Sequence, residues 1–301
     1  MCIRDSSYNA SLTAAKEMKK QDGGMALAHA LAYSAPQASQ WKSAAPTTSL
    51  TTFSDRQYRI AARLNLNLAP FDPVQMRALG PDCPNCPESK YEMVDNGKNK
   101  VDDNRWHFLF CNREQGGAGE ITQRHHAVVD ALYHTVMTMG GRGQREPTQL
   151  EYQSGKRPDL RVMFDGYHMI TDVVISHPLT MAYIKQGIAW KGDAGVAKRM
   201  EARKVNKYKQ MAEQQDAEFF AFSAESCGGL GPQALAMLKA LSAAGQPHLA
   251  MWPRYQIIQH MLSSVAVAIQ KGNAMAVLSG YNNHLIKRFE QGHVQEVGRA
   301  A

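Results

Sequence analysis

The stretch KRPDLRVMFDGYHMITDVVISHP, residues 156–178, decides the fold of this chain. It contains two β-prone runs, 160–164 and 168–176, with Asp165 and Gly166 supplying turn chemistry between them, so a β-hairpin is predicted. Asp159 stands at the start of the first run and Asp172 inside the second. If the runs pair, both carboxylates approach one end of the sheet and can share Mg²⁺ or Mn²⁺, which prefer oxygen ligands and open water positions.

The two carboxylates can also have simpler roles, since Pro-Asp is a common turn and an aspartate in a strand can face solvent. The predicted helix over 193–214 favours the metal site. Steps of three and four along it give an apolar stripe of Ala197, Met200, Tyr208 and Met211, interrupted by Lys204. An inward lysine needs a carboxylate or phosphate partner, unless it extends to the helix edge.

The segments around the hairpin predict an α/β sandwich with a mixed sheet. Upstream, helix is favoured within 9–33, and Ser54 or Asp55 can cap a second helix after a linker that Trp41 could anchor. From residue 122 the sequence predicts a helix (122–139) and a loop (140–147), which are followed by three strands (148–152, 160–164 and 168–176). A helix (193–214) and a further strand (218–223) come next. After a glycine-rich break the chain continues in further helices, which include 254–271 and 273–288.

Composition restricts the class of protein. A length of 301 residues suggests about two domains, and a net charge of +7 with a pI near 9.1 is compatible with a polyanionic partner. Five cysteines form no regular disulfide framework, which favours a reducing, intracellular compartment. No signal peptide is evident and no membrane association is expected. The opening MCIRDSS, residues 1–7, has the look of an adapter artefact, so we expect the true N-terminus to be missing.

A second constellation predicts a structural zinc site. Cys83, Cys86, His107 and Cys111 follow the spacing C-x2-C, twenty residues, H-x3-C, which suits tetrahedral Zn²⁺. Apolar periodicity is missing between residues 81 and 119, so metal binding would supply the free energy that orders this segment. The alternative is a turn with two free thiols and an unrelated histidine.

Several motifs in order resemble one family. CPNC, HFLFC, RHHAVVDAL, KRPDLRV, DVVISHP, ARKVNKYK and AESCGGLGPQA together resemble the C-terminal region of reverse transcriptases from site-specific non-LTR retrotransposons and related protist elements. In that family a Cys-Cys-His-Cys knuckle leads into a restriction-like endonuclease of the PD-(D/E)XK class. The resemblance covers about residues 39–280.

The resemblance implies an α/β, restriction-endonuclease-like mixed sheet flanked by helices, after a zinc knuckle and an N-terminal helical region. The corresponding boundaries are 8–75 for the helical and linker region, 76–120 for the zinc knuckle, 121–290 for the endonuclease domain and 291–301 for a tail. The implied partners are DNA, element RNA and a reverse transcriptase linked upstream, in a nuclear or otherwise intracellular setting.

The implied activity is nicking of target DNA to prime reverse transcription. Asp159 and Asp172 would bind Mg²⁺ or Mn²⁺, and Lys204 or Lys207 would be the displaced catalytic lysine, because Val174 occupies the usual lysine position. The family's Arg-His-Asn is Arg-His-His here, so the role of His126 stays open, as does that of Asp130 as a helix acid. Candidate phosphate contacts are Arg124, His125, Arg199, Arg203 and Lys209. The rival functions are an inactive nucleic-acid-binding module and a small-molecule enzyme.

Overall fold

The computed structural model describes residues 25–79, 106–110, 119–148 and 157–290. In these ranges the strands form a four-stranded mixed sheet in the order β1-β2-β3-β4. The first three strands are antiparallel neighbours, and β3 pairs with β4 in parallel. The prediction of an α/β protein with a mixed sheet is therefore confirmed. The strands are β1 (Arg142–Arg145), β2 (Leu160–Phe164), β3 (Tyr167–Ser176) and β4 (Glu218–Glu225).

Helices surround this sheet and build an N-terminal layer. They are α1 (Met25–Tyr33), α2 (Asp55–Asn65), α3 (Pro73–Leu79), α4 (Gly119–Thr138), α5 (Met181–Lys185), α6 (Gly195–Gln214), α7 (Pro232–Gly245) and α8 (Arg254–Glu290). Short 3-10 turns lie at Gln40–Ser43, His107–Leu109 and Gln246–Leu249.

The two faces of the sheet are covered by different helices. Leu160, Val162 and Phe164 alternate along β2 and pack with apolar residues of α4, α7 and α8 in the main core. Ile170 of β3 points to the other face, where it packs with Tyr208 and neighbouring residues of α6. Because side chains alternate along a strand, Asp172 shares the α6 face with Ile170.

The predicted hairpin is confirmed. Leu160 pairs with Thr171 and Phe164 with Tyr167, and Gly166 adopts a φ of 73° in the turn. A glycine is favoured there because it adopts positive φ without steric penalty.

The predicted loop at residues 140–147 was wrong, because this stretch contains a strand. The expected loop 140–147 contains β1, whereas most of the expected strand 148–152 lies outside the described residues. Gly143 explains the difference, because a Cβ there would lie 2.8 Å from the Tyr133 ring. The glycine lets β1 pass close to α4, and backbone pairing with β2 orders a sequence that has little β-propensity of its own.

The last two predicted helices are one helix of 37 residues, α8. Gly272 does not break it, because this glycine is where α4 crosses closely: a Cβ there would lie 2.5 Å from Arg124 Cγ. Within the described part of the chain α8 is the helix long and apolar enough to cross a bilayer, and 72% of its most apolar window is buried inside the fold. It is the central core helix, packed mainly against α4.

The N-terminal layer packs on the same long helix. Ser54 and Gln57 form a capping box that begins α2, as the sequence predicted for a cap at this position. Trp41 is buried against α2 and α8, which confirms its expected anchoring role. A second apolar cluster joins α1, α2 and α3 to α8 and the turn at residues 106–109. The predicted domain boundaries stay predictions.

The outer edge of β4 is covered by the segment that follows it. Glu225 N donates to Gly229 O at 2.7 Å, and Gly231 N donates to Ser223 O at 2.9 Å. Ala221 N donates to the Gln233 side chain at 3.0 Å. The predicted glycine-rich break is thus a turn that folds back along β4 before α7 begins at Pro232.

Candidate functional site

Two carboxylates meet at the open end of the hairpin. Asp159 immediately precedes β2, and Asp172 lies in β3. The pairing of Leu160 with Thr171, together with a 3.1 Å hydrogen bond from Asp159 N to Thr171 O, places residues 159 and 172 opposite each other on adjacent strands. Their charges interact, since Asp159 is one of the causes that raise the pKa of Asp172. This convergence is what the sequence predicted for the pair.

Asp159 is held between β3 and α4. Its Oδ2 accepts the backbone N–H of Val173 at 2.6 Å and lies 3.1 Å from Nε2 of His125. The pKa of His125 is raised: burial lowers it, but the hydrogen bond and the charge of Asp159 together outweigh burial. The motif resemblance predicts His125 as a phosphate contact. It does not predict the pairing with Asp159, because the two residues are 34 positions apart on different elements and no local sequence pattern links them.

Asp172 forms an ion pair with Lys204, which reaches it from α6. Asp172 is almost fully buried, with 4% of its side chain exposed, and its Oδ2 is the oxygen that the Lys204 ammonium contacts. Burial raises the pKa of Asp172, and the charge of Asp159 raises it further, while Lys204 and Tyr208 lower it by less. Lys204 thus points inward, as the helical periodicity predicted.

Tyr208 extends the site by one helical turn. Its ring is buried, and its hydroxyl donates to Arg157 O at 3.2 Å and receives a hydrogen bond from the Lys207 amine. Burial raises the pKa of Tyr208, and the charge of Asp172 raises it further. Of the two candidate lysines, Lys204 contacts a carboxylate and Lys207 contacts this tyrosine. Helical periodicity predicts Tyr208 only as a member of the apolar stripe, although its position one turn after Lys204 was the available signal.

An open pocket of about 470 Å³ borders Asp159. Three pairs of a basic and an acidic side chain line it: His125 with Asp159, His126 with Glu146, and Arg145 with Asp130. In the second pair Nε2 of His126 lies 3.9 Å from Oε1 of Glu146. The last pair gives Asp130 a guanidinium partner in the same pocket as Asp159. The pocket provides solvent access to the side of Asp159 that faces α4.

The metal-binding capacity of the site is limited to the two carboxylates. In the described ranges no three side chains of His, Cys, Asp or Glu are grouped tightly enough to hold one ion. Asp159 and Asp172 supply two oxygen-bearing side chains, and Oδ2 of Asp172 is also the oxygen that Lys204 contacts. That donor set fits Mg²⁺, which commonly takes one or two protein carboxylates and several waters.

The predicted phosphate contacts divide into two groups. Arg199, Arg203 and Lys209 are exposed on α6. Arg124 is only 2% exposed, its guanidinium donates to Asn273 Oδ1 at 2.9 Å, and burial lowers its pKa to about 10. This burial contradicts the predicted phosphate contact of Arg124, whose role is to join α4 to α8.

The predicted zinc ligands fall largely outside the described residues, which exclude Cys83, Cys86 and Cys111. His107 is described and buried, with its ring centroid 5.9 Å from that of Phe108 and 5.8 Å from that of Phe110. The zinc knuckle therefore stays a prediction.

Two buried glutamates fix the helix that carries Lys204. The residue before α6, Ala194, has a left-handed φ of 56° and no capping side chain, so Glu225 supplies the cap: its Oε1 accepts Val196 N at 3.0 Å and Ala197 N at 3.4 Å. Glu201 of α6 caps α7 through Gln233 N at 2.8 Å. Burial raises the pKa of each glutamate to about 7, although helix amides and Lys198 lower it.

No local sequence pattern predicts this arrangement, because each glutamate caps a helix to which it does not belong: Glu225 lies in β4 and caps α6, and Glu201 lies in α6 and caps α7. Comparison with family models and with curated proteins finds no match for this chain. The geometry of the site is therefore the basis on which function is inferred.

Proposed function

We propose that this protein is a metal-dependent DNA endonuclease that nicks target DNA by hydrolysing a phosphodiester. The observation that carries the proposal is the meeting of Asp159, Asp172 and Lys204, which come from the start of β2, from β3 and from α6. A mixed sheet with helices on both faces is compatible with the restriction-endonuclease-like fold that the motif resemblance implies, and that fold is part of the proposal.

Asp159 and Asp172 would hold the metal. Two carboxylates on adjacent strands repel each other, and burial adds to the energy needed to ionise Asp172. A divalent cation offsets both effects, since it is the largest local charge in such a site. When bound, Mg²⁺ or Mn²⁺ supplies Lewis-acid chemistry, lowering the pKa of a bound water and stabilising charge on the phosphoryl oxygens.

Lys204 is the residue that would stabilise the developing negative charge. Its ammonium is half-buried and fixed beside Asp172, so it is oriented before the substrate arrives. The hydrogen bond from Lys207 to Tyr208 places a second amine one turn away. Removing one such preorganised donor costs on the order of 10²- to 10³-fold in rate, which is about 3 to 4 kcal/mol.

A plasmid assay tests the proposal. Supercoiled DNA is incubated with protein and Mg²⁺, and conversion to the open circle is followed for the wild type, Asp172→Ala and Lys204→Ala. We expect EDTA and Asp172→Ala to abolish nicking and Lys204→Ala to slow it by about 10²-fold. Lys185→Ala, an exposed lysine at the end of α5, is the matched control and should nick like the wild type. Equal nicking by all four proteins would move the catalytic assignment elsewhere.

A second candidate is a catalytically inactive nucleic-acid-binding module. The direct ion pair between Lys204 and Asp172 favours it, because this pair already neutralises the more buried carboxylate. This candidate predicts salt-dependent DNA binding that survives alanine at both aspartates, with no cleavage at any Mg²⁺ or Mn²⁺ concentration. Gel-shift and nicking assays on the same preparations separate the two functions.

The wider setting of the proposal is a retroelement protein. The nick would expose a 3′ hydroxyl that primes reverse transcription by a polymerase linked upstream, with element RNA as template. The exposed Arg199, Arg203 and Lys209 and the net charge of +7 suit a polyanionic partner. Structural zinc on Cys83, Cys86, His107 and Cys111 belongs to the same proposal, and elemental analysis of the purified protein should find about one zinc per chain.

A further inference from the structure

His125 of α4 meets Asp159 where the helix passes the open end of the hairpin. Nε2 of His125 lies 3.1 Å from Asp159 Oδ2, and the half-buried ring lines the pocket that borders this carboxylate. Oδ2 already accepts the Val173 amide, and with the same oxygen as acceptor for the ring, Nε2 of His125 is the donor in this contact. The contact is therefore a hydrogen bond donated from the helix to the strand end.

Both hydrogen bonds to Asp159 fall on the same oxygen. The backbone N–H of Val173 donates to Oδ2 at 2.6 Å, and His125 donates to Oδ2 as well. Oδ1 receives no hydrogen bond from the residues that the structure describes. Two donors on one oxygen fix the carboxylate plane and leave the other oxygen as the available metal ligand.

The position of His125 is itself fixed by the residue before it. Arg124 is buried, donates to Asn273 Oδ1 at 2.9 Å and packs against Gly272 of α8. Rotation of α4 about its axis would break that hydrogen bond of a buried guanidinium, which is strongly unfavourable. The imidazole is therefore presented to Asp159 by a rigid element.

We propose that His125 is a positioning residue that orients Asp159: together with the Val173 amide it holds Oδ2, which would leave Oδ1 available to a divalent cation. The inference rests on the metal-binding role of Asp159 in the proposed function. It assigns no proton transfer to the ring. Partners that orient metal-binding carboxylates typically contribute about 10- to 100-fold to metal affinity.

Direct Mn²⁺ binding tests the inference without relying on catalysis. Isothermal titration calorimetry with Mn²⁺ compares the wild type, His125→Ala, His125→Asn and His125→Gln, all as the full chain and checked for folding by circular dichroism. We expect Ala and Asn, which cannot reach Asp159, to raise the Kd for Mn²⁺ about 10-fold. Gln retains an N–H donor of suitable length and should stay within about 3-fold of the wild type.

His134→Ala is the matched control, since His134 is an exposed histidine on the same helix. It should leave the Kd unchanged. An unchanged Kd in His125→Ala and His125→Asn, or a Gln variant as weak as both, would overturn the positioning role. So would a wild type that binds no Mn²⁺.

Comparing binding with nicking separates this inference from the proposed function. Binding of Mn²⁺ that depends on His125 and on Asp172, without nicking of DNA, supports the positioning role and refutes the endonuclease. If nicking depends on Asp172 but the Kd for Mn²⁺ is the same in the wild type and the His125 variants, the endonuclease is supported and the positioning role is refuted.

Discussion

Replacing Glu225 by Gln should remove part of the pH dependence of folding stability. Glu225 is 2% exposed, and its Oε1 accepts the first amides of α6 from Val196 and Ala197. Burial raises its pKa from 4.5 to about 7. At about 1.4 kcal/mol per pKa unit, this change corresponds to about 3 kcal/mol.

The sign follows from proton linkage. Because its pKa is raised in the folded state, folded Glu225 binds more protons than unfolded Glu225 between pH 4.5 and about 7. The contribution of Glu225 to stability is therefore fully present below pH 4.5 and declines as the pH rises to about 7. Gln keeps a carbonyl oxygen for the helix amides and does not ionise. The Glu225→Gln variant should therefore not lose stability through ionisation at this position as the pH rises.

Urea unfolding between pH 4.5 and 8 measures the effect. Relative to the wild type, the free energy of unfolding of Glu225→Gln should increase by about 3 kcal/mol across that range, because the wild type loses stability as the pH rises and the variant does not. Glu201 also has a raised pKa, but it is present in both proteins and does not contribute to the difference. Glu213→Gln, at an exposed position on α6, the helix that Glu225 caps, is the control and should follow the wild type. Parallel pH curves for wild type and Glu225→Gln would refute the reasoning.

Three further outcomes are expected. Asp172→Asn should abolish nicking without lowering Tm in differential scanning fluorimetry, because burial raises the pKa of Asp172 and so favours a neutral side chain there; a large fall in Tm would contradict this. Gly272→Ala should lower the free energy of unfolding in urea by about 1 to 3 kcal/mol, since its Cβ would lie 2.5 Å from Arg124 Cγ. Met275→Ala, at an exposed position on the same helix, is the control and should change that free energy by less than about 0.5 kcal/mol. Arg203→Ala should reduce the slope of log K against log salt for DNA binding by about one, as measured by fluorescence anisotropy, and an unchanged slope would exclude a phosphate contact.

Local patterns predicted the centre of the fold. Turn residues at Asp165 and Gly166 placed the hairpin, and its register follows from the turn, so Asp159 and Asp172 converge as expected. Helical periodicity predicted that Lys204 points inward. These features depend on neighbours within a few residues, or on one face of a single element.

Features that depend on partners distant in sequence were missed. The strand β1 is ordered by pairing with β2, and Gly272 marks a helix crossing, although a glycine within a helix usually suggests a break. Arg124 is buried because Asn273, 149 positions away, accepts its hydrogen bond. In the sequence Glu225 is an ordinary strand residue, and its role as a helix cap depends on the packing of α6 against β4. Composition and periodicity carry no information about such pairs.

Coverage of β4 by the turn at residues 229–233 affects how copies of the protein meet. With Ala221 N, Glu225 N and Ser223 O already hydrogen-bonded to that turn, β4 does not offer a ready template for a strand from another molecule. At the opposite border β1 is only four residues long and carries Arg142 and Arg145, whose charges disfavour stacking of identical edges. Among the strands that the structure describes, both edges of the sheet are therefore poor templates for pairing with a second copy.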